Sequence, residues 1–386
     1  MNKKILILIV LVISLIIILV SIFTQPKTTV SSNLTLINFG EKLEIDNFEK
    51  ATGPQDFIFP EDLGAHPEYL TEWWYYTGNV FTQDGRHFGY QLTFFRRAIS
   101  DEVEINRESE WSTNQIYLAH FAITDTKNNN HYVEDQISRG AAGLAGTKID
   151  PWFSIWLKDW EIIQKDKDIF QLKAMSDKIE LNLTLTDKKG FVFHGNNGLS
   201  QKGEEVGNAS YYFSQTRLDT YGVVRIEDEE FIVSGLSWMD HEFGTSTLGE
   251  DQIGWDWFSM QLDNEMEIML FQIREEAGSI SPLSSGTIIN PDNSTKKISV
   301  EDFEIQVDKI WKNSDQVEYP NAWKITIPDL DINLEITPVI EDQEMDLFFR
   351  YWEGAVWISG TVNGEVVSGY GYVELTGYAQ SMQGVF

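Results

Sequence analysis

The 386-residue chain contains no cysteine. This excludes disulfides, thiol chemistry and a lipid-acylated cysteine anchor. Basic residues are scarce: 29 Lys and Arg against 60 Asp and Glu give a formal net charge of −31. Nucleic acid is therefore an unsuitable partner, because phosphate binding requires a basic face. No HExxH pair is present, no glycine-rich phosphate loop, and GLSWM (235–239) lacks the closing glycine of a G-x-S-x-G elbow. After Phe23 no long amphipathic helix can be traced.

One long apolar run exists. From Ile5 to Phe23 the residues are Ile, Leu, Val and Phe apart from Ser14 and Ser21, with Lys3 and Lys4 in front. As a helix these nineteen residues span about 28 Å, roughly one bilayer core. The lysines favour a cytoplasmic N-terminus. Residues 1–24 read as a signal anchor or a signal peptide. The length of the run, and the lack of an A-x-A-like site in SIFTQP, favour a retained single-pass anchor with the rest extracytoplasmic. Residues 25–55 read as a polar linker.

From about residue 56 the pattern is β. IELNLTLTD (179–187) alternates strictly, DLDINLEITP (329–338) does the same, and large residues recur with period two in FGYQLTFF (88–95). Asp84-Gly85, Asp263-Asn264 and Asn363-Gly364 mark turns. There is also a weak repeat. WWYYTGNVFTQDGRHFGYQLTFFRR (73–97) matches GWDWFSMQLDNEMEIMLFQIR (254–274) in layout, and the strand pair at 160–187 has a counterpart at 322–337. The chain is therefore expected to be all-β: two tandem antiparallel barrels after one transmembrane helix, with domains at 56–238 and 239–386. Barrels of this size can enclose a small apolar ligand.

WMDHEFG (238–244) falls at the expected junction. In a strand Asp240 and Glu242 share one face and His241 takes the other, so the three cannot hold one metal ion without a bulge. The other histidines, 66, 87, 120, 131 and 194, stand alone in sequence. No metal and no cofactor is expected. Asp240 beside Trp238, and Asp256 between Trp255 and Trp257, have the surroundings of a proton donor, since rings disfavour the ionised carboxylate. The ring faces could also steady a carbocation. Alternatively the Asp-His-Glu cluster only ties loops together through hydrogen bonds. EWWYYTGN (72–79) leaves a similar choice: Glu72, Trp74 and Tyr76 share one face and Trp73 the other, either as barrel core or as a pocket wall anchored by Glu72. His120 in YLAHFAITD is either a core residue or a ligand contact.

Taken in order, HPEYLTEWWYYTGNV, YQLTFFRR, YLAHFAITD, NASYYFSQTRL (which carries Tyr212), SGLSWMDHEFG, GWDWFSMQLDN and GYGYVELTGY resemble the carotenoid 1,2-hydratase family and its AttH-like relatives over residues 66–378. The resemblance implies two lipocalin-like barrels with a site at or near their interface. Fungal pericyclase-type cyclases look similar in fold, so the scaffold hosts unlike chemistries. For the hydratases it implies cofactor-free addition of water to a terminal isoprenoid double bond. Asp240 or Asp256 would then be the acid, Trp238, Trp255 and Trp257 the cation-facing rings, and His241 a water-orienting base. The hydratases carry His and Trp two residues apart; here Phe243 stands in the Trp position. The AttH-like branch implies instead lipid or lipophile handling beside an ABC-type transporter. The sequence thus supports two expectations: an apolar-ligand protein with acid–base activity, or a non-catalytic carrier.

Overall fold

The computed structural model describes residues 47–100, 109–245, 248–249 and 251–383. The expected anchor at 1–24 lies outside these residues. Among the described residues no helix is long and apolar enough to cross a membrane. The described part is built on strands, joined in places by short 3-10 turns.

The first sheet holds β1 (Thr71–Phe81), β2 (His87–Ala98), β3 (Gln115–Asp125), β4 (Asn130–Arg139), β5 (Ala145–Ile149), β6 (Phe153–Leu157), β7 (Trp160–Asp166), β8 (Ile169–Met175), β9 (Ile179–Asp187), β10 (Phe191–Phe193), β11 (Leu199–Gln201), β12 (Ala209–Ile226) and β13 (Glu229–Gly244). The second holds β14 (Gln252–Leu262), β15 (Glu267–Glu275), β16 (Ser285–Ile289), β17 (Thr295–Ser299), β18 (Glu304–Lys312), β19 (Glu318–Ile327), β20 (Ile332–Pro338), β21 (Glu344–Asp346), β22 (Arg350–Val362) and β23 (Glu365–Leu375). Each is barrel-like and antiparallel. The strand order is β4-β3-β2-β1-β13-β12-β9-β8-β7 in one, continuing to β6-β5, and β17-β16-β15-β14-β23-β22-β20-β19-β18 in the other. In both, a four-strand run closes by pairing its first strand with the last strand of the repeat. The repeat read from paired aromatics is thus a repeat of topology.

Alternation does what the sequence suggests. Ile179, Leu181, Leu183 and Leu185 enter the first core while Glu180, Asn182 and Thr184 face outward. In the second sheet Ile332, Leu334 and Ile336 are buried, with Asn333 and Glu335 exposed between them. The strand begins at Ile332 rather than 329, because Pro328–Leu330 forms a 3-10 turn and Asp331 turns left-handed at φ 45°. Asn363 and Gly364, both at positive φ, form the two-residue loop between β22 and β23. That is the backbone a tight hairpin demands.

Two expectations on boundaries change. The junction expected at 238/239 falls inside β13, and the chain changes sheet only between Gly244 and Gln252. The reason is register: β13 pairs with β1 as far as Gly244 opposite Thr71. The polar linker also ends earlier than residue 55. Ala51 bridges to Gly207, Thr245 Oγ1 donates to the Glu49 carbonyl, and Tyr211 donates to the Gly53 carbonyl.

The sheets pack face to face through β1 and β2 on one side and β22 and β23 on the other. FGYQLTFF is buried on both faces for this reason. Phe88, Tyr90, Leu92 and Phe94 fill the first core, while Gly89, Gln91 and Thr93 lie under the second sheet. Gly89 is required by close approach: a Cβ there would sit 2.5 Å from the Ala355 Cβ. Polar groups tie the contact. Gln261 Nε2 donates to the Ser237 and Thr216 carbonyls at 2.9 and 2.7 Å, and buried Glu267 receives Lys189 and Arg217. Gly89→Val is therefore expected to lower unfolding stability by about 1–3 kcal/mol through overpacking. Denaturant titration checks this. An Ala355→Gly change in the same chain should recover part of a Gly89→Ala loss.

Candidate functional site at the sheet interface

Strand parity sorts the motif residues. On β13, Met239, His241 and Phe243 point into the first barrel, whereas Asp240 and Glu242 point between the sheets. On β1, Trp74 and Tyr76 join the first core; Trp73 and Tyr75 face outward. The outward residues line a cavity of about 780 Å³ including its mouth. The second sheet closes it with Trp255 and Trp257 from β14, Phe271 and Ile273 from β15, and Glu374 from β23. Tyr212, Phe95, Leu248 and Lys202 complete the wall.

Asp240 sits in a web of neutral donors. Its Oδ1 accepts Trp238 Nε1 at 2.8 Å, the Tyr212 hydroxyl at 3.1 Å and the Ser214 hydroxyl. Trp257 Nε1 in turn donates to the Tyr212 oxygen at 3.1 Å. Ser214 also meets His194 Nε2 at 2.7 Å, and His194 Nδ1 meets Thr287 of the second sheet at 2.8 Å. Burial raises the Asp240 pKa to about 7; the three donors work against this and Glu242 adds to it. Glu374 is the counterpart in the second sheet. Asp240 lies beside Tyr75 in the β13–β1 pairing, and Glu374 beside Trp257 in the β23–β14 pairing. Glu374 accepts Trp255 Nε1 at 3.0 Å, and burial, with Asp240 and Glu242 nearby, raises it to about 7 as well. Glu242 is different. It holds Lys202 Nζ at 3.2 Å and accepts from Ser210.

The contrast with other buried carboxylates is informative. Glu72 pairs with Arg96, Glu267 with Lys189 and Arg217, Asp125 with Arg86, and Asp256 with Arg274. Among the described residues Asp240, Glu374 and Glu353 have no Lys or Arg partner, and of these Asp240 and Glu374 line the cavity while Glu353 does not. A buried carboxyl without a counter-charge remains neutral toward neutral pH, which is a proton donor's requirement.

Several expected site residues lie elsewhere. Asp256 points to the opposite face of β14 from Trp255 and Trp257, where it meets Arg274 at 3.0 Å and the Tyr378 hydroxyl at 3.0 Å. It has no share of the cavity, so the acid role suggested for it is withdrawn. His241 is inside the first barrel, 2.8 Å from Glu72, and cannot orient water in the cavity. Glu72, Trp74 and Tyr76 are core residues of the first barrel and not a pocket wall. His120 is buried against Tyr351, at 2.7 Å from its hydroxyl, and stands behind the lining residue Phe95 rather than in the wall. Trp238 stands behind Asp240 with its ring edge-on to Trp257 at 6.4 Å. Asp240, Glu242, Trp73, Tyr212, Trp255 and Trp257 are brought together. Tyr75, Glu374, Lys202 and Phe271 were not singled out from sequence. The repeat contained the signal for Glu374, since GYGYVELTGY ends the second copy as SGLSWMDHEFG ends the first.

His66 is not the isolated histidine it looks in sequence. Its Nδ1 meets Glu72 Oε1 at 2.7 Å and its Nε2 meets Asp62 at 3.1 Å. His66, Glu72 and His241 place three ligand atoms within 4.8 Å of one another, close enough to hold an ion. The donor set fits a metal poorly. Arg96 Nε already binds Glu72 Oε2 at 2.8 Å. Burial opposes charge on His66, but Glu72 and Asp62 outweigh it and push its pKa to about 9. A protonated imidazole and a guanidinium neutralise the carboxylates, and the cluster reads as a buried ion network that pins the 61–72 segment to β13.

Two barrel-like all-β sheets clasping a ring-lined cavity define a lipocalin-like fold. The AttH-like family pattern matches residues 50–378, and the chain belongs to the AttH-like family. An AttH protein of Nitrosomonas europaea is 29% identical, with a TM-score of 0.76 over 86% of this chain and all of that one. Kievitone hydratase of Fusarium solani subsp. phaseoli is 23% identical over 145 residues, which span 36% of this chain and 40% of that enzyme. The crystal structure of kievitone hydratase from Nectria haematococca shares the fold, with a TM-score of 0.64, 15% identity and coverage of 86% of this chain and 97% of that one.

The His66 network gives a pH-dependent expectation. The folded pKa lies above the free value of 6.5, so the stabilisation is complete below about 6.5 and fades as pH rises through about 9. His66→Gln should cost of order 2 kcal/mol at pH 6. The deficit against wild type should shrink toward pH 9 in urea melts measured across that range.

Proposed function

We propose that this AttH-like protein admits an apolar ligand, an isoprenoid or lipid, to the interface cavity and that Asp240 serves there as a proton donor for a cofactor-free hydration. The observation that supports this is a buried carboxyl facing open, ring-walled volume with neutral donors and no counter-ion. In the step, the Asp240 O–H bond breaks and its proton joins one alkene carbon. The other carbon becomes cationic against the faces of Trp73, Tyr75 and Trp257. Water adds to it and gives up a proton to a carboxylate, so the net change is one water added. The likeness to kievitone hydratase favours hydration over other acid chemistry. The carotenoid 1,2-hydratases remain a resemblance in sequence motifs.

The N-terminal apolar run would tether the domain at the outer face of the membrane, where such ligands are held. An ABC-type transporter would be the neighbour that supplies or removes them. The ring-lined volume and its opening to solvent also suit a carrier, which needs the volume but not the acid.

The test begins with the full chain purified from its own cell envelope, with bound lipid identified by native mass spectrometry and extraction. That lipid is then incubated with wild type and Asp240→Asn. Wild type should yield a product heavier by one water. The variant should retain the lipid and lose turnover by about 100-fold or more. Turnover should also decline as pH rises beyond about 7, where Asp240 ionises. Equal turnover by the variant would remove Asp240 as the acid. Retained binding with no turnover by either form would leave the carrier.

A further inference from the structure

The interface cavity contains two features whose physics agree. Its walls are ring faces, from Trp73, Tyr75, Trp255, Trp257 and Phe271. Its acidic and basic groups are three carboxyls, Asp240, Glu242 and Glu374, against one ammonium, that of Lys202. Ring faces carry negative potential, and so do carboxylates; both attract cations.

The chain's own cation shows the attraction at work. Lys202 Nζ lies 4.1 Å from the centre of the Phe271 ring and 5.3 Å from that of Tyr212, while 3.2 Å from Glu242. One carboxylate is thereby matched. Asp240 and Glu374 remain without a cation, and the faces near them belong to Tyr75, Trp257 and Trp255. Tyr75 and Trp257 meet edge to face at 5.3 Å, which leaves ring surface turned to the cavity.

We infer that the cavity is a receptor for positive charge on an apolar body: an alkylammonium ligand, or the carbocation of a hydration, but not a fatty-acid carboxylate. The inference rests on the reading of the cavity as an apolar-ligand site and specifies the head group that site prefers. It does not require turnover. A quaternary ammonium carries its charge on a centre surrounded by carbon, as a tertiary carbocation does, so it would bind as a stable mimic of the reaction's charged state.

The preference should depend on pH. The titratable groups facing the cavity are Tyr75 from β1, Asp240 and Glu242 from β13, Glu374 from β23, Lys202 from the loop after β11 and Tyr212 from β12, with Glu353 of β22 beside Tyr75. Asp240 and Glu374 both change charge near pH 7, while burial and the neighbouring acids keep the Tyr212 hydroxyl protonated well above that range. Ammonium affinity should therefore rise from pH 6 to pH 8, as both carboxyls become anionic.

The experiment compares three head groups on chains of similar length. Octyltrimethylammonium, 1-decanol and decanoate are titrated, below their micelle concentrations, into delipidated full-length protein, with tryptophan fluorescence and calorimetry as readouts. The cation should bind roughly tenfold tighter than the alcohol at pH 8, with decanoate weakest. Glu374→Gln and Asp240→Asn should each reduce the ratio of cation to decanol affinity several-fold. Equal affinity for cation and alcohol would overturn the cation preference while sparing the apolar site. Tightest binding of decanoate would overturn it too and make Lys202 a carboxylate anchor. Failure of all three to bind would overturn both the preference and the reading of the cavity.

Discussion

The structure depends on burying β1, β2, β22 and β23 on both faces. Each strand contributes one face to its own barrel and the other to the neighbouring sheet. Outward-facing groups on these strands therefore leave water and must be satisfied or neutralised. On β1, Asn79 gains the Gly371 carbonyl at 3.1 Å; on the flanking β14 and β15, Gln261 gains two carbonyls and Glu267 a lysine and an arginine. The cavity forms where the faces diverge, and there the rule changes. Asp240 and Glu374 receive ring N–H groups and hydroxyls in place of cations.

That difference separates structure from chemistry. An arginine beside a buried carboxylate works against the burial that raises its pKa, overcoming it at Glu72 and only partly offsetting it at Asp256 and Glu267. Glu72 is of the charged kind, its pKa held below the usual range because Glu72 lies among His66, Arg96 and His241, which outweigh its burial. Asp240 is of the other kind. Its folded pKa lies above the unfolded value, so the folded state binds the extra proton between the two. Stability contributed by that proton is lost as pH rises toward 7. A residue that costs stability at working pH, and remains facing a cavity, has the signature of a functional group.

Much of this was legible in the sequence. Period-two alternation located the strand at 179–187 and placed another at 329–338 that in the structure begins at Ile332, and Asn363-Gly364 marked its hairpin. The aromatic repeat foretold two sheets of one topology. Parity on β13 separated Asp240 and Glu242 from His241, as a strand requires. What parity could not reveal was which face looks into a barrel and which into the gap. Asp240 and Asp256 look alike in sequence, each flanked by aromatic residues. They differ because Arg274, eighteen positions on, pairs beside Asp256 across the β14–β15 hairpin. His66 and His241 are 175 positions apart, and only the pairing of β1 with β13 brings Glu72 between them. Lys202 enters from a loop without a motif, so no pattern announced it.

The central claim is that Asp240 is a neutral carboxyl in a ring-walled cavity at near-neutral pH. Infrared difference spectroscopy of wild type against Asp240→Asn reads this directly, because a protonated carboxyl has a carbonyl stretch distinct from that of the carboxylate. The account predicts that at about pH 6 the wild type minus variant difference contains a protonated-carboxyl band, over and above the bands of Glu374 and Glu353 common to both forms, and that this difference band disappears on titration through about pH 7. A carboxylate signal already complete at about pH 5 would contradict it, and would place Asp240 with the charged, structural acids of the interface.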